Sequence, residues 1–262
     1  MNRHFLKTVT CIMASLVLLS YIALFGANAF YLGLKDASVF ITQNRFWVRL
    51  WLTLYTSFFA TILSLLVGIP LGYALSRLKL PFPRLTSSLI DLPVMVPPAT
   101  IGVFLFGFTT TFPMKLLLDG LGLELSHSTA GVIFVQFVVT MAFCARLMKA
   151  SFDNVNPRFE HVSRSLGYSL PGTFKRVTLP LAKNGILASA VVVWARAAAE
   201  WEGLMLFVGG TMGQTDVLPF SVYLDWNGAL MGEVVTYSLA SVIFAFLAVG
   251  FMYRLGGKSY VW

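Results

Sequence analysis

Six stretches of this chain are long and apolar enough to cross a lipid bilayer. They cover approximately residues 9–30, 52–75, 89–109, 130–148, 184–208 and 234–253. Each is close to the roughly 20 residues that an α-helix needs to cross about 30 Å of hydrocarbon. A barrel strand needs only about 9 to 11 residues, and lipid-exposed backbone must satisfy its own hydrogen bonds. The sequence therefore predicts an all-α membrane protein with six transmembrane helices, and residues 1–262 form a single membrane domain.

The overall composition supports this fold class. Hydrophobic residues make up 57% of the chain, charged residues make up 11%, and the mean hydropathy is +0.78. Soluble globular domains carry roughly 25% charged residues. A soluble protein is therefore excluded, and the sequence shows no internal repeat or low-complexity tract that would indicate another class.

The distribution of basic residues predicts how the helices are oriented. With both termini in the cytoplasm, the inner segments hold fourteen basic residues: Arg3, Lys7, Arg77, Lys79, Arg84, Arg146, Lys149, Arg158, Arg164, Lys175, Arg176, Lys183, Arg254 and Lys258. The outer loops hold four: Lys35, Arg45, Arg49 and Lys115. Lys and Arg in short loops are retained on the cytoplasmic side. This bias and anionic inner-leaflet lipid account for the net charge of +8, so no nucleic-acid partner is needed.

The first apolar stretch has two interpretations. Arg3 and Lys7 precede it, and Ala27-Asn28-Ala29 resembles a small-residue cleavage site of a signal peptide. The apolar run exceeds the usual signal-peptide core of about 7 to 15 residues. We therefore expect an uncleaved anchor, with a cleaved signal as the alternative.

Prolines interrupt the third stretch. Pro93 follows Asp91 and Leu92, and Pro97 and Pro98 come directly after that turn. Proline removes a backbone donor and clashes with the preceding turn, so the helix should bend or begin late here. Irregular backbone inside a membrane is tolerated where protein or a water-filled cavity surrounds it. The three prolines are therefore candidates for a pore or gate, and a simple structural kink is the alternative.

Three charged residues fall in the fifth stretch as predicted. Arg196 and Glu200 are four residues apart and so share one helical face, and Glu202 follows. An unpaired charge at the bilayer centre costs about 2.5 to 3.5 kcal/mol, so we expect an ion pair. A pair that fixes helix packing is the favoured interpretation, and a direct role in translocation is the alternative.

The sequence lacks the motifs of an enzyme. Gly257-Lys258-Ser259 superficially resembles a P-loop, but that motif needs glycine at position 252, where this chain has Met252. The histidines are scattered, and no metal-ligand spacing is present. We therefore expect no catalytic residue, no metal and no cofactor. The chief rival function is a proton-coupled carrier that titrates Glu200 or Glu202, and a membrane-embedded enzyme ranks below it.

A polar, basic segment at residues 153–183 carries the most distinctive pattern. It contains His161-Val162-Ser163-Arg164-Ser165-Leu166-Gly167 and, after nine intervening residues, Val177-Thr178-Leu179-Pro180. This order resembles the "EAA" coupling loop of ABC importer permeases. Gly167, Leu179 and Pro180 match the family pattern. His161 replaces its acidic residue, Val162 and Ser163 replace its two alanines, and Glu160 lies one residue early.

Two further blocks are similar to molybdate and related oxyanion permeases. The stretch from Leu92 to Gly102 matches their LPxxxPPxxxG pattern, and Ala195 to Trp201 is similar to their ARALGEF. The similarity runs from about Leu50 to Tyr253. Ala199, Glu202 and Gly210 depart from the family pattern.

This resemblance implies a type I ABC importer permease in a bacterial or archaeal cytoplasmic (inner) membrane. Its implied partners are cytoplasmic ABC ATPase subunits, an external substrate-binding protein and a second copy of the chain. The implied cargo is molybdate or tungstate, with sulfate, thiosulfate or another small solute as alternatives. The residues implied to couple to the ATPase are His161, Val162, Ser163, Arg164, Gly167, Leu179 and Pro180. The pore or gate candidates are Pro93, Pro97, Pro98, Arg196, Glu200 and Glu202.

Overall fold

The computed structural model describes residues 3–32, 41–78 and 83–256, and all regular structure in these ranges is helical. The helices are α1 Arg3–Leu32, α2 Asn44–Arg77, α3 Pro83–Met95, α4 Pro98–Thr110, α5 Met114–Gly120, α6 Thr129–Asp153, α7 Arg158–Ser165, α8 Leu170–Thr173, α9 Leu179–Ala198, α10 Glu202–Phe207, α11 Leu218–Asn227 and α12 Met231–Gly256. A π-helical segment, Phe174–Thr178, joins α8 to α9. The all-α class is confirmed. Gly257, Lys258 and Ser259 lie outside the described residues.

The described residues contain five helices that are long and apolar enough to cross a membrane. Four of them, α1, α2, α6 and α12, correspond to predicted stretches, and the fifth runs continuously from Leu170 to Ala198. The third predicted stretch is a pair of helices, Ser87–Met95 and Pro98–Thr110, and the chain bends by 107° between them. Counted as one span, this pair brings the number to six. The bend lies at the prolines that indicated it.

The second predicted stretch begins too late. Helix α2 starts at Asn44, not near residue 52, so Arg45 and Arg49 belong to its first two turns and not to a loop. Their side chains pair with acids elsewhere in the fold. A hydropathy profile counts every charged residue as unfavourable, whether or not it has a partner in the fold. The predicted stretch therefore left both arginines out of the helix.

The fifth predicted stretch, residues 184–208, is displaced by about half its length. Helix begins at Leu170, where the Ser169 hydroxyl accepts a hydrogen bond from Gly172 N at 3.3 Å, and it ends at Ala198. Pro180 lies inside this continuous helix. Leu179 N donates to Phe174 O, five residues back, so the π segment absorbs the disruption that a proline without an N–H causes. Residues 170–183, assigned to the coupling loop, are therefore helical.

Helices α2 and α6 pack closely because small residues face each other. A Cβ on Gly72 would lie 2.5 Å from the Cβ of Met148, and one on Gly68 would lie 2.5 Å from Cys144 Sγ. Farther along the same pair of helices, Ser64 Oγ and Thr140 Oγ1 share a hydrogen bond of 2.8 Å. Such small-residue contacts are typical of membrane helix pairs. This pair forms the centre of the bundle.

The remaining helices surround that pair. Helix α9 packs against α6 and α12, α10 packs against α4, and α1 contacts α12. Side chains in the apolar window of α1 are exposed in the single chain. We call the end of the bundle that holds α7 the α7 end, and the opposite end, which holds α11, the α11 end.

Candidate functional site

Helix α7 has an inverted distribution of polar and apolar side chains. Glu160 and Ser163 are buried against the bundle. Phe159, Val162 and Leu166 face outward, with 55%, 59% and 74% of each residue exposed. These three recur at helical spacing and form one apolar face, which we call the α7 face. A surface helix normally turns such a face inward, so an outward one indicates a surface that contacts another protein or the membrane.

The C-terminal end of α7 requires glycine. Gly167 has φ of +89°, and its N–H donates to Arg164 O at 3.0 Å. Tyr168 N donates to Ser163 O at 3.3 Å, which completes a Schellman-type end. A Cβ at Gly167 would meet no atom within 4 Å, so backbone conformation alone selects glycine here. The sharp helix end leaves the α7 face uncovered.

An ion pair holds the buried side of α7. Glu160 Oε1 accepts from Arg77 Nε at 2.9 Å, and Oε2 accepts from the Tyr73 hydroxyl at 3.3 Å. Both charged side chains are largely buried. Sequence reasoning treated Glu160 only as a displaced family acid. Its three-residue spacing from Ser163, which places both on one helical face, was the available signal.

A second contact ties α7 to the helix that follows it. The hydroxyls of Ser163 and Thr173 share a buried hydrogen bond of 3.0 Å. A cavity of about 310 Å³ lies beside these contacts, and its lining includes Arg77, His161 and Arg164. The α7 end therefore presents an apolar face next to a polar cavity with excess positive charge.

The structure brings together five of the seven predicted coupling residues. His161, Val162 and Arg164 are exposed on α7, Gly167 ends it, and Ser163 points inward. Leu179 and Pro180 lie in a different element, at the start of α9 beyond the π segment. The coupling pattern in the sequence thus spans two structural units.

The predicted gate prolines surround the bend between α3 and α4. Pro93 lies inside α3, Pro97 precedes α4, and Pro98 is its first residue. Beside this bend, Asp91 pairs with Arg146 of α6, which also donates to Ser87 Oγ at 2.8 Å. The bent pair is therefore tied to the central helices by charge.

The predicted pair of Arg196 and Glu200 is present. Arg196 Nη1 lies 2.8 Å from Glu200 Oε2, and Glu200 is 1% exposed whereas the Arg196 side chain is 37% exposed. The surroundings differ from the prediction, because Glu200 lies in the break after α9. Its Oε1 accepts from Gly203 N at 2.9 Å and so caps α10.

Glu202 also lies outside the fifth span and is the first residue of α10. It is half-buried and makes no ion pair within the described part of the chain. Both acids were placed in a continuous helix because the sequence around them stays apolar. The break at Ala199–Trp201 carries no proline or glycine to indicate it.

The sequence did not predict a buried cluster of charged residues at the α11 end. Arg49 is 1% exposed and contacts Asp216 at 3.0 Å and Asp225 at 2.6 Å. Its guanidinium carbon lies 5.0 Å from the centroid of the Tyr237 ring. Arg45, one turn earlier, lies 3.6 Å from Glu233. These contacts fix the loop before α11, which carries Asp216, to α2.

In residues 3–32, 41–78 and 83–256, no three His, Cys, Asp or Glu side chains are arranged to hold a metal ion.

Comparison with protein families identifies the chain. Residues 37–258 match the model of the binding-protein-dependent transport system inner membrane component. The chain belongs to this family of permeases. It is therefore a multi-pass membrane protein and the membrane component of a transport system.

Curated relatives of the permease are similar over much of their length. The probable molybdenum ABC transporter permease of Haloferax volcanii is 27% identical over 250 residues, which cover 95% of this chain and 90% of the relative. The molybdate/tungstate transport system permease WtpB of Pyrococcus furiosus is 31% identical over 199 residues, covering 74% and 75%. The molybdenum transport permease ModB of Escherichia coli K12 is 28% identical over 179 residues, covering 68% and 78%.

Solved structures share the fold of the permease. A bacterial alginate ABC transporter, in complex with an alginate-bound periplasmic protein, matches with a TM-score of 0.71 at 16% identity, covering 97% of this chain and 93% of that one. The inward-facing MetNI methionine ABC transporter matches with a TM-score of 0.59 at 18% identity, covering 78% and 93%. The type I importer permease fold is confirmed.

Proposed function

We propose that this permease is the membrane subunit of an ATP-driven importer for molybdate or tungstate. The α7 face carries the proposal, because it is an outward apolar surface on a short, sharply ended helix within the coupling pattern, and we infer that it docks on a cytoplasmic ABC ATPase subunit. Family membership supports an external binding protein that delivers the cargo, and the names of the relatives support the oxyanion. We infer that two copies of the chain form the pathway.

The proposed orientation follows from charge. The α7 end lies in the cytoplasm, where Lys and Arg are retained, and the α11 end faces the binding protein outside the inner membrane. ATP hydrolysis occurs on the ATPase subunits. Their closure displaces α7 and changes the exposure of the pathway between the two permease copies.

The predicted residues take different roles in this mechanism. Val162, with Phe159 and Leu166, forms the contact surface, His161 and Arg164 flank it, and Gly167 ends it. Ser163 holds the inner side of α7. We propose that Leu179 and Pro180 connect the moving end to α9. The bend at Pro93, Pro97 and Pro98 remains the proposed gate.

Arg196 and Glu200 fit a packing role better than a pathway role. Glu200 is held by both Arg196 and the α10 backbone, so it stabilises the break between α9 and α10. Together with Glu202, the group carries one net negative charge, which is poorly suited to hold a dianion. Glu202 is the residue that keeps a proton-coupled carrier as the second candidate, because it is half-buried and makes no ion pair within the described chain.

The first prediction tests docking at the α7 face. Val162→Asp places a charge in the apolar contact, and burying it in a complex is costly. We expect ATPase binding to fall at least about tenfold, as measured by co-purification and by titration in detergent. Met212→Asp is the matched control, since Met212 is exposed to a similar extent but belongs to the loop before α11. Normal ATPase binding by Val162→Asp would contradict the proposal.

Vesicles separate the two candidate functions. Vesicles with the permease, ATPase subunits, binding protein and internal ATP should accumulate molybdate or tungstate. Sulfate and thiosulfate serve as competing cargoes. Accumulation that needs a proton gradient and persists without the ATPase would instead establish the carrier.

A further inference from the structure

Helix α7 can transmit a force only if it is fixed to the membrane helices. It has eight residues, and segments without regular helix separate it from α6 and α8. A helix this short is not stable without tertiary contacts. Contacts on its buried side therefore decide whether a displacement at the α7 face reaches the bundle.

Arg77 connects three elements at this position. It is the last residue of α2, and its Nε donates to Glu160 of α7. Its Nη2 donates to Phe152 O at 2.8 Å and to Val155 O at 2.6 Å, at and just beyond the C-terminal end of α6. Its Nη1 donates to Ser76 Oγ at 3.0 Å. Arginine suits this position because its planar fork can serve several acceptors at once.

The contact of Arg77 with Glu160 joins two charged, largely buried side chains. Glu160 is largely buried, and within the described residues its ion pair is with Arg77. Tyr73 adds a neutral hydrogen bond, and its ring packs on Phe152 at 5.6 Å between centroids. Loss of Arg77 would leave the buried carboxylate without its charged partner and would remove the side-chain donor of Val155 O.

The route continues from α6 to the bend. Helices α2 and α6 are in close contact at Gly68 and Gly72, so they are suited to move together. At the same end of α6, Arg146 pairs with Asp91 of α3, beside the gate prolines. A displacement of α7 can thus reach the bend through a continuous series of buried or charged contacts.

We propose that Arg77 is a positioning residue for energy coupling: it fixes α7 to α2 and α6, so that the three elements move as one body when the ATPase subunits close. This rests on the function proposed above. Neither the motif nor its family pattern includes Arg77.

The test compares Arg77→Gln, Glu160→Gln and the double variant in the complete complex with its ATPase. The measured quantity is the ratio of ATP hydrolysis with molybdate-loaded binding protein to hydrolysis without it. Each single variant should lower this ratio about five- to tenfold, the range of a modest coupling between sites. The double variant should lose no more than Arg77→Gln alone, because the contact that Glu160→Gln removes is already absent in Arg77→Gln. Lys149→Gln is the control, since it removes a basic side chain at the same end whose described ion pair, with Asp153, lies within α6.

Full stimulation in Arg77→Gln, or losses that multiply in the double variant, would overturn the inference. Failure of the wild-type complex to bind the ATPase or to transport would instead overturn the proposed function. A second measurement needs no change at Arg77. Spin labels at Ser165→Cys on α7 and Ala150→Cys on α6, with Cys11 and Cys144 replaced by alanine, report the distance between these elements. The inference requires the same distance in nucleotide-free and ATP-bound complexes, and a changed distance would contradict it.

Discussion

Single residues in this permease matter most where a buried charge has one set of partners. Arg49 is enclosed by Asp216, Asp225 and the Tyr237 ring, and all of these groups are buried. Removing one partner of a buried pair is costly because the others keep their charge without compensation. Asp216 Oδ1 also accepts from Gly213 N at 2.5 Å, so the cluster holds the loop before α11 in place.

Arg49→Gln should therefore destabilise the permease strongly. We expect a loss of about 3 to 5 kcal/mol, since two carboxylates lose their buried counter-charge. Equilibrium unfolding in mixed detergent micelles measures it. Arg45→Gln is the comparison, because its side chain is 33% exposed and its contacts are 3.6 Å long, so its loss should stay within about 1 kcal/mol. Equal effects of the two changes would show that burial of Arg49 contributes nothing.

At the scale of elements, the short helix α10 depends on direct contact between its backbone and that of α4. Helix α10 has six residues and is capped by Glu200. It lies against α4 where Gly102 faces Gly203, and a Cβ on Gly102 would lie 2.5 Å from Gly203 O. Backbone atoms cannot rotate away as a side chain would. The packing of the bent pair against α10 therefore depends on glycine at this point.

We predict that Gly102→Ala forces α4 and α10 apart. The expected destabilisation is about 1 to 3 kcal/mol, the usual cost of overpacking, with a loss of transport. Thermal unfolding of the purified permease and uptake by the vesicle system measure the two effects. A Cβ at Gly107 in the same helix would meet no atom within 4 Å. Gly107→Ala should therefore leave the fold intact and leave the free energy of unfolding unchanged or raise it by up to about 1 kcal/mol through helix propensity. Indistinguishable variants would refute the close contact.

At the scale of the molecule, the two ends of the bundle differ in charge and in task. The α7 end carries the outward apolar face and most of the basic residues, whereas the α11 end carries the acidic loop fixed by Arg45 and Arg49. In the proposed orientation, the end that meets the ATPase is also the end that positive charge retains inside.

Labelling checks this orientation. We expect a cysteine at Ser165, on α7, to react with a membrane-impermeant maleimide only in inside-out vesicles. A cysteine at Met212, in the exposed loop before α11, should react only from the outside of cells. Both variants need Cys11 and Cys144 replaced, because Cys11 is exposed. Reaction of both positions from one side would contradict the proposed topology.

Much of the fold could be predicted because hydropathy is a local property. The apolar stretches, the bend at Pro97 and Pro98 and the pairing of Arg196 with Glu200 each depend on residues a few positions apart. The predicted helix boundaries were wrong where a residue has a distant partner, or where the backbone adjusts locally to accommodate it. Helix α2 begins early because its arginines are neutralised from across the fold. Helix α9 passes Pro180 because a π segment accommodates the proline.

The sequence alone determined the all-α class, the approximate number of spans and the charge asymmetry that predicts orientation, since each follows from composition over about 20 residues. Only the tertiary structure decided which side of α7 faces outward, and that Arg77 meets Glu160 83 positions away and Arg49 meets Asp216 167 positions away. Helical periodicity fixes which residues share a face of one helix. The rotation and register of that helix against its neighbours depend on packing of the whole bundle.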